Sequence, residues 1–297
     1  MKKYRTVFLT ALMIGLGALI AIYFDKRVQP PFSATMSTLF QEIGKPVKSV
    51  DRIISQVVPI GAIDEKMLGD EIKADLAENS ISNDPVTVGY LNSLIESFKK
   101  EPKRPFDYRV FLIEGPPNAC AMPGGAICVT TGLLDLLENE AELVSVLGHE
   151  MGHIERGHLF DAAREEMLKR KIQNIAPSLF AAKVLKHLVN LTFSKTQEDE
   201  ADEYGFRLLV KMGYAPSAMS TAFEKLNSIH SKEAVEINPL NDFVRSHPHG
   251  ELRMEKFRSR ADLWKAHHPT DLGYLGRKNY TARTTRFQLN YPEEWVR

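Results

Sequence analysis

The chain has 297 residues, enough for one large domain or two small ones with a substantial buried core. Hydrophobic residues make up 43% and charged residues 26%, an ordinary globular balance. Lys plus Arg number 38 and Asp plus Glu 38, so the net charge is zero; broad electrostatic attraction to nucleic acid is excluded, and nucleic acid is not an expected partner. The densest basic run, Lys99, Lys100, Lys103 and Arg104, reads as a solvated loop.

At the N-terminus Lys2, Lys3 and Arg5 precede an uncharged apolar run over 7–24, which Asp25, Lys26 and Arg27 close. Such a run is about 18 residues, at the short edge of what spans a bilayer. Residues 1–30 therefore read as a membrane anchor or a signal segment. The anchor is favoured, because Tyr23, Phe24, Asp25 and Lys26 are too large for a cleavage site. The greater positive charge ahead of the run predicts a cytoplasmic N-terminus and an exported main domain.

Pro30-Pro31 ends this segment. Region 31–82 shows apolar positions at helical spacing, broken at Pro46, Pro59 and Gly61, and reads as amphipathic helices packing on the core. Asn83-Asp84-Pro85 starts a helix that runs toward Lys100. Residues 107–113, 118–122 and 126–130 read as strands, with turns at Gly115-Pro116-Pro117 and Pro123-Gly124-Gly125. Cys120 and Cys128 flank the second turn. A hairpin there would let them face each other, as a disulfide or as two buried thiols.

Helices are predicted over 132–137, 140–156, 159–172, 177–191, 195–211 and 217–229. Lys183, Lys186 and His187 argue against a membrane span in the apolar stretch 177–191. The tail beyond Pro269 is rich in Thr, Tyr and Arg and has room for strands. The fold class is α+β, mainly helical, with a small antiparallel sheet next to the 140–156 helix. The regions are 1–30, 31–82, 83–267 for the main domain and 268–297 for the tail.

The chemistry centres on His149-Glu150-Met151-Gly152-His153. Residues four apart share a helix face, so two imidazoles can grip one Zn²⁺ at about 2.0–2.1 Å. Glu150 projects beside them, where it can act as a base toward a water at the metal. Average residue usage gives such a pattern in a chain this long on the order of one percent of the time. The alternative is a surface helix with two unrelated histidines, and the apolar run 143–147 ahead of the motif argues for burial instead. Buried imidazoles and a carboxylate need partners, which a metal supplies. His158 is a weaker ligand candidate, since a continued helix would turn it nearly to the opposite face.

A catalytic zinc takes a third protein ligand and keeps one position open. Glu198 is the candidate, with Asp202 one turn on to accept a hydrogen bond from the other nitrogen of His149. Asp199, Glu200 and Glu203 compete for the ligand role. His149 to His153, followed by Ser194-Lys195-x-x-Glu198-x-x-Ala201-Asp202, resembles the HtpX-like family of membrane-associated zinc peptidases, which includes the prenyl-protein CAAX proteases. Asn118-Ala119-x-Ala121-x-Pro123-Gly124-Gly125-x-Ile127 also looks like that family's segment ahead of the zinc helix. Cys120 stands where an aromatic residue is usual and Lys195 where Arg is usual, and neither touches the proposed metal chemistry. The several spans of the CAAX-type members are missing, so the chain looks nearer to envelope-type members.

The resemblance implies a zincin-like metallopeptidase domain with one Zn²⁺ per chain, held by His149, His153 and Glu198. Glu150 is then the general base, and Asp202 supports the ligand His149 from behind. Asn118 and Ala119 mark an edge along which an extended substrate lies. His247 and Arg253, in Ser246-His247-Pro248-x-x-Glu251-Leu252-Arg253, resemble a family segment near the active site. His247 either caps the open zinc position or steadies the tetrahedral intermediate, or it merely starts a helix. The expected function is zinc-dependent endopeptidase activity on unfolded or misassembled membrane and envelope proteins, at the bacterial inner membrane facing the periplasm or at the mitochondrial inner membrane. The rival is a chaperone-like binding protein with a closed, non-catalytic zinc.

Overall fold

The computed structural model describes residues 61–79, 84–173, 191–230, 246–248 and 250–296. The N-terminal anchor, most of region 31–82, nearly all of the helix expected over 177–191, and His249 lie outside the described residues. Among the described residues no helix is long and apolar enough to cross a membrane.

Helix α1 spans Ala62–Asn79 and α2 Pro85–Ser97. Asp84 caps α2 by accepting hydrogen bonds from the backbone N–H groups of Val86 and Thr87, with Pro85 at the first helical position where no N–H is needed. Three short strands follow: β1 Arg109–Ile113, β2 Ala119–Ala121 and β3 Ala126–Thr130, with a tight turn at Pro123–Gly125. Two chain reversals bring β3 back to the direction of β1. Because every residue of β3 is buried, it takes the centre of the sheet, in the order β1-β3-β2. The sheet is therefore mixed and not wholly antiparallel as expected: β3 pairs parallel with β1 and antiparallel with β2. Cys120 and Cys128 stand directly opposite each other in the β2–β3 register, as free thiols.

Helix α3 covers Thr131–Leu136 and α4 Glu140–Glu155. Asn139 caps α4 through Oδ1, which accepts from Glu142 N at 2.9 Å. All of α4 from Glu140 to Ile154 is buried, so this helix is the axis on which the rest packs. Helices α5 His158–Gln173, α6 Lys195–Lys211, α7 Ala218–His230 and α8 Gly250–His267 follow. The sequence reading did not single out α8. It buries only Arg253, Phe257 and Ala261, one residue per turn, too thin an apolar stripe to stand out.

The tail holds the two-residue strands β4 Gly273–Tyr274 and β5 Trp295–Val296, paired antiparallel, with α9 Arg277–Ala282 between them. It closes over the start of α4. Glu140, wholly buried, accepts hydrogen bonds from Tyr90 Oη at 3.0 Å, Tyr214 Oη at 2.7 Å and the backbone N of Arg286 at 3.0 Å. A buried carboxylate with three donors is satisfied, and it ties α2, the segment after α6 and the tail to the axis helix.

Candidate metal centre

Ser194 and Gln197 close a capping box at the start of α6: Ser194 Oγ accepts from Gln197 N, and Gln197 Oε1 accepts from Ser194 N at 3.0 Å. That start fixes where Glu198 falls in the first turn, with Asp202 one turn further on the same face. Both are buried, at 1% and 0% exposure. The face turns toward α4 because small residues line the crossing. A Cβ added to Gly152 would meet Ala201 O and Cα at 2.7 and 2.8 Å, and one on Gly148 would meet Gly205 Cα at 3.0 Å.

At this crossing His149, His153, Glu198 and His247 converge, their ligand-type atoms all within 4.8 Å of one another and all four buried. His149 Nε2 lies 3.1 Å from both His153 Nε2 and His247 Nδ1. Glu198 Oε1 lies 3.3 Å from His153 Nε2 and 3.0 Å from His247 Nδ1. On the far side of its ring, His149 Nδ1 faces Asp202 Oδ1 at 2.9 Å. An ionised carboxylate only accepts, so the proton sits on Nδ1 and Nε2 carries a lone pair into the cluster. Arg253 braces the rear: Nε donates to Asp202 Oδ2 at 2.9 Å, Nη2 to Asp202 Oδ1 at 2.7 Å, and Nη1 pairs with Glu198 Oε2.

Three imidazole nitrogens and a carboxylate oxygen are a zinc donor set, and ligands at about 2.0–2.1 Å around a tetrahedral ion stand roughly 3.3 Å apart. Four of the separations, at 3.0–3.3 Å, lie close to that figure, His149 Nε2 stands 3.7 Å from Glu198 Oε2, and the whole set fits within 4.8 Å. Electrostatics agree. Burial holds the His153 ring well below its usual range, hence neutral and able to donate a lone pair. Burial alone would raise Glu198, but the neighbouring His247, His153 and His149 rings outweigh it and keep the carboxyl far below its usual range. Burial likewise would lower His247, and the carboxylates of Glu198 and Glu150 reverse it, so the ring is raised. Two carboxylates thus draw positive charge onto this spot, which is what a cation would supply. The residues fit zinc.

The sequence profile of Peptidase family M48 matches residues 87–261 of the chain. The chain belongs to peptidase family M48. Among curated relatives of this M48 chain, Metalloprotease LoiP of Escherichia coli is 35% identical over 134 residues, 41% of this chain and 52% of LoiP. Mitochondrial metalloendopeptidase OMA1 of Arabidopsis thaliana is 32% identical over 155 residues, 49% of this chain and 30% of OMA1. The Beta-barrel assembly-enhancing protease of E. coli is 28% identical over 269 residues, 83% of this chain and 52% of that protein. The chain spans about half or less of the length of these relatives.

Within the M48 match, Glu150 follows His149 on α4 and its Oε2 accepts a hydrogen bond from Ala121 N of β2 at 2.8 Å. Its Oε1 accepts none and faces His247 Nε2 at 3.6 Å. Asn118 is buried just ahead of β2, and Ala119 opens that edge strand. The competing acids point elsewhere: Asp199 pairs with Lys256, Glu203 with Arg207 and Arg260, and Glu200 with His158.

His158 is not part of the cluster. Gly157, at φ 77°, ends α4 and a new helix begins at His158, so the ring swings back to the outer nitrogen of His153 instead of continuing around the helix. The sequence reading also missed Phe193, whose ring lies over His153 with centroids 3.8 Å apart and beside His247 at 5.3 Å. An apolar residue immediately before a capping box was the available signal.

The crossing carries its own expected result. Gly152→Ala in this M48 core should lower stability by about 1–3 kcal/mol through overpacking and push α6, with Glu198, away from the histidines. Thermal melting and bound zinc per chain check it; a variant that melts and loads zinc like the wild type shows that the contact yields freely.

Proposed function

We propose that the chain is a zinc-dependent endopeptidase. The observation that carries this reading is the buried convergence of His149, His153 and Glu198, with the Glu150 carboxylate on the same helix turned to the same space. Family membership supports it. Zinc bound there supplies Lewis acidity toward a peptide carbonyl and toward water.

The chain's own residues do the rest. Ala121 N holds Glu150 by one oxygen, leaving Oε1 to accept the proton of the attacking water and pass it to the leaving amine. Asp202 keeps His149 in the tautomer that presents Nε2, and Arg253 holds both Asp202 and Glu198 in line. Asn118 and Ala119, at the start of the edge strand, receive an extended substrate by main-chain hydrogen bonds. His247, whose Nδ1 lies 3.0 Å from Glu198 Oε1, would be the fourth donor to a bound zinc and would cap the place that substrate or water needs. Unfolded or misassembled membrane and envelope proteins are the substrate class that fits an extended-chain site of this kind. The chain then works at a membrane through its N-terminal segment, in the bacterial periplasm or at the mitochondrial inner membrane. The names of two relatives, a beta-barrel assembly-enhancing protease and a mitochondrial metalloendopeptidase, accord with such a role.

A second reading has one specific observation in its favour. With His247 the donor set numbers four, the closed arrangement of a non-catalytic zinc in a chaperone-like binding protein. Such a site has no use for Glu150. The test is metal removal with the full chain: casein cleavage should stop in chelator and return when zinc is restored. A zinc-loaded chain that binds unfolded casein but never cleaves it selects the second reading.

A further inference from the structure

His158 is 4% exposed, and both of its ring nitrogens are engaged. Nδ1 lies 3.0 Å from His153 Nδ1, and Nε2 lies 3.0 Å from Glu200 Oε2. Two ring nitrogens that face each other at hydrogen-bond distance share one proton, so one donates and the other accepts. The carboxylate decides which. Glu200 can only accept, so His158 Nε2 carries a hydrogen. A neutral His158 then has its lone pair on Nδ1 and accepts from His153 Nδ1–H. His153 Nε2 is left bare, and it is this nitrogen that faces His149 Nε2 at 3.1 Å and Glu198 Oε1 at 3.3 Å. The reverse assignment would put the hydrogen of His153 inside the cluster, where it would block a cation.

We propose that His158 and Glu200 are positioning residues that set the tautomer and ring orientation of His153 for metal binding, as Asp202 does for His149. The inference rests on the zinc reading above. The two histidines are held by different devices. Behind His149 stands a wholly buried carboxylate balanced by Arg253; behind His153 stands an imidazole that leans on a half-exposed carboxylate, the Glu200 side chain being 49% exposed. An imidazole relay adds no fourth negative charge to a buried site that already holds Glu198, Asp202 and Glu150. The left-handed break between helices at Gly157 is what brings the relay ring to the outer face of His153, with ring centroids 5.1 Å apart.

The test uses the full chain and the metal alone, with zinc affinity from chelator competition and the visible spectrum of the Co²⁺-substituted protein. His158→Leu is expected to weaken zinc binding by about 10–100-fold and to alter the Co²⁺ bands. His158→Asn, whose Oδ1 sits near the lost Nδ1 and can accept from His153, is expected to recover most of that loss. Wild-type affinity in His158→Leu overturns the proposal. Equal loss in His158→Leu and His158→Asn also overturns it, since packing alone would then explain the effect. Should His158→Leu not fold, Glu200→Ala at the half-exposed end is expected to weaken zinc binding measurably, and unchanged affinity and spectrum there overturn the relay. A wild-type chain that binds neither zinc nor cobalt removes the metal reading and this inference together, whereas a wild type that binds while His158→Leu binds as tightly removes the inference alone.

Discussion

Glu150→Gln is expected to lower hydrolysis of unfolded casein by at least about 10²–10⁴-fold, the share a positioned base contributes, while zinc stays at one ion per chain. The change is nearly isosteric. The Gln carbonyl can still accept from Ala121 N, the bond that holds the native side chain at 2.8 Å, so the local structure has no reason to move. What disappears is the second carboxylate oxygen, which accepts no hydrogen bond in the native site. Casein turnover and metal content measured on one preparation check both halves. Full activity in the variant would take Glu150 out of the base role; loss of zinc would assign it to the metal instead. The same variant, which binds substrate without releasing product, offers a trap: expressed in native membranes, it should co-purify with whatever the wild type cleaves.

Asp202→Ala should be the most damaging single change to the zinc-free fold, at about 3–5 kcal/mol. Asp202 is wholly buried and answers three donors: Arg253 Nε and Nη2 at 2.9 and 2.7 Å, and His149 Nδ1 at 2.9 Å. Its removal leaves a guanidinium that is 4% exposed with Glu198 as its remaining ion-pair partner, and strips His149 of the acceptor that sets its tautomer. The pH dependence has a definite sign. Burial pushes the Asp202 carboxyl up, but Arg253 and His149 outweigh it, so the folded value lies below the ordinary 3.8. A depressed acid stabilises the fold fully above its unfolded value and loses that contribution as pH falls through the folded value. The wild type should therefore weaken steeply below about pH 4, and Asp202→Ala should show a shallower decline there. Urea midpoints of both proteins across that range decide it; parallel curves would mean the network does not carry the acid sensitivity.

Elements with a strong local signal were legible from residues alone. The helix expected over 195–211 is α6, and the apolar run before His149 announced a buried helix. The strand pair around Pro123–Gly125 followed from turn chemistry. Direction of pairing did not, because a strand's own residues do not say which neighbour it will take; β3 runs parallel to β1 because two chain reversals restore that direction and its central place sets it beside β1. Helix α8 escaped notice for a related reason. Its few buried residues meet other helices one turn at a time, and the rest of its surface reads as loop-like charge.

Local spacing determined that His149 and His153 would share one face and that Glu198 and Asp202 would share another, since a helix period depends on nothing beyond the helix itself. Only tertiary structure decided that the two faces meet. That meeting depends on Gly148, Gly152, Ala201 and Gly205 leaving room for two backbones to touch, on Arg253 arriving from a distant helix to balance two buried carboxylates, and on a left-handed glycine at 157 that turns His158 from a stray ring into a neighbour of the site. Contacts between segments far apart in the chain carry no periodic signature, so their chemistry becomes readable once the packing that joins them is known.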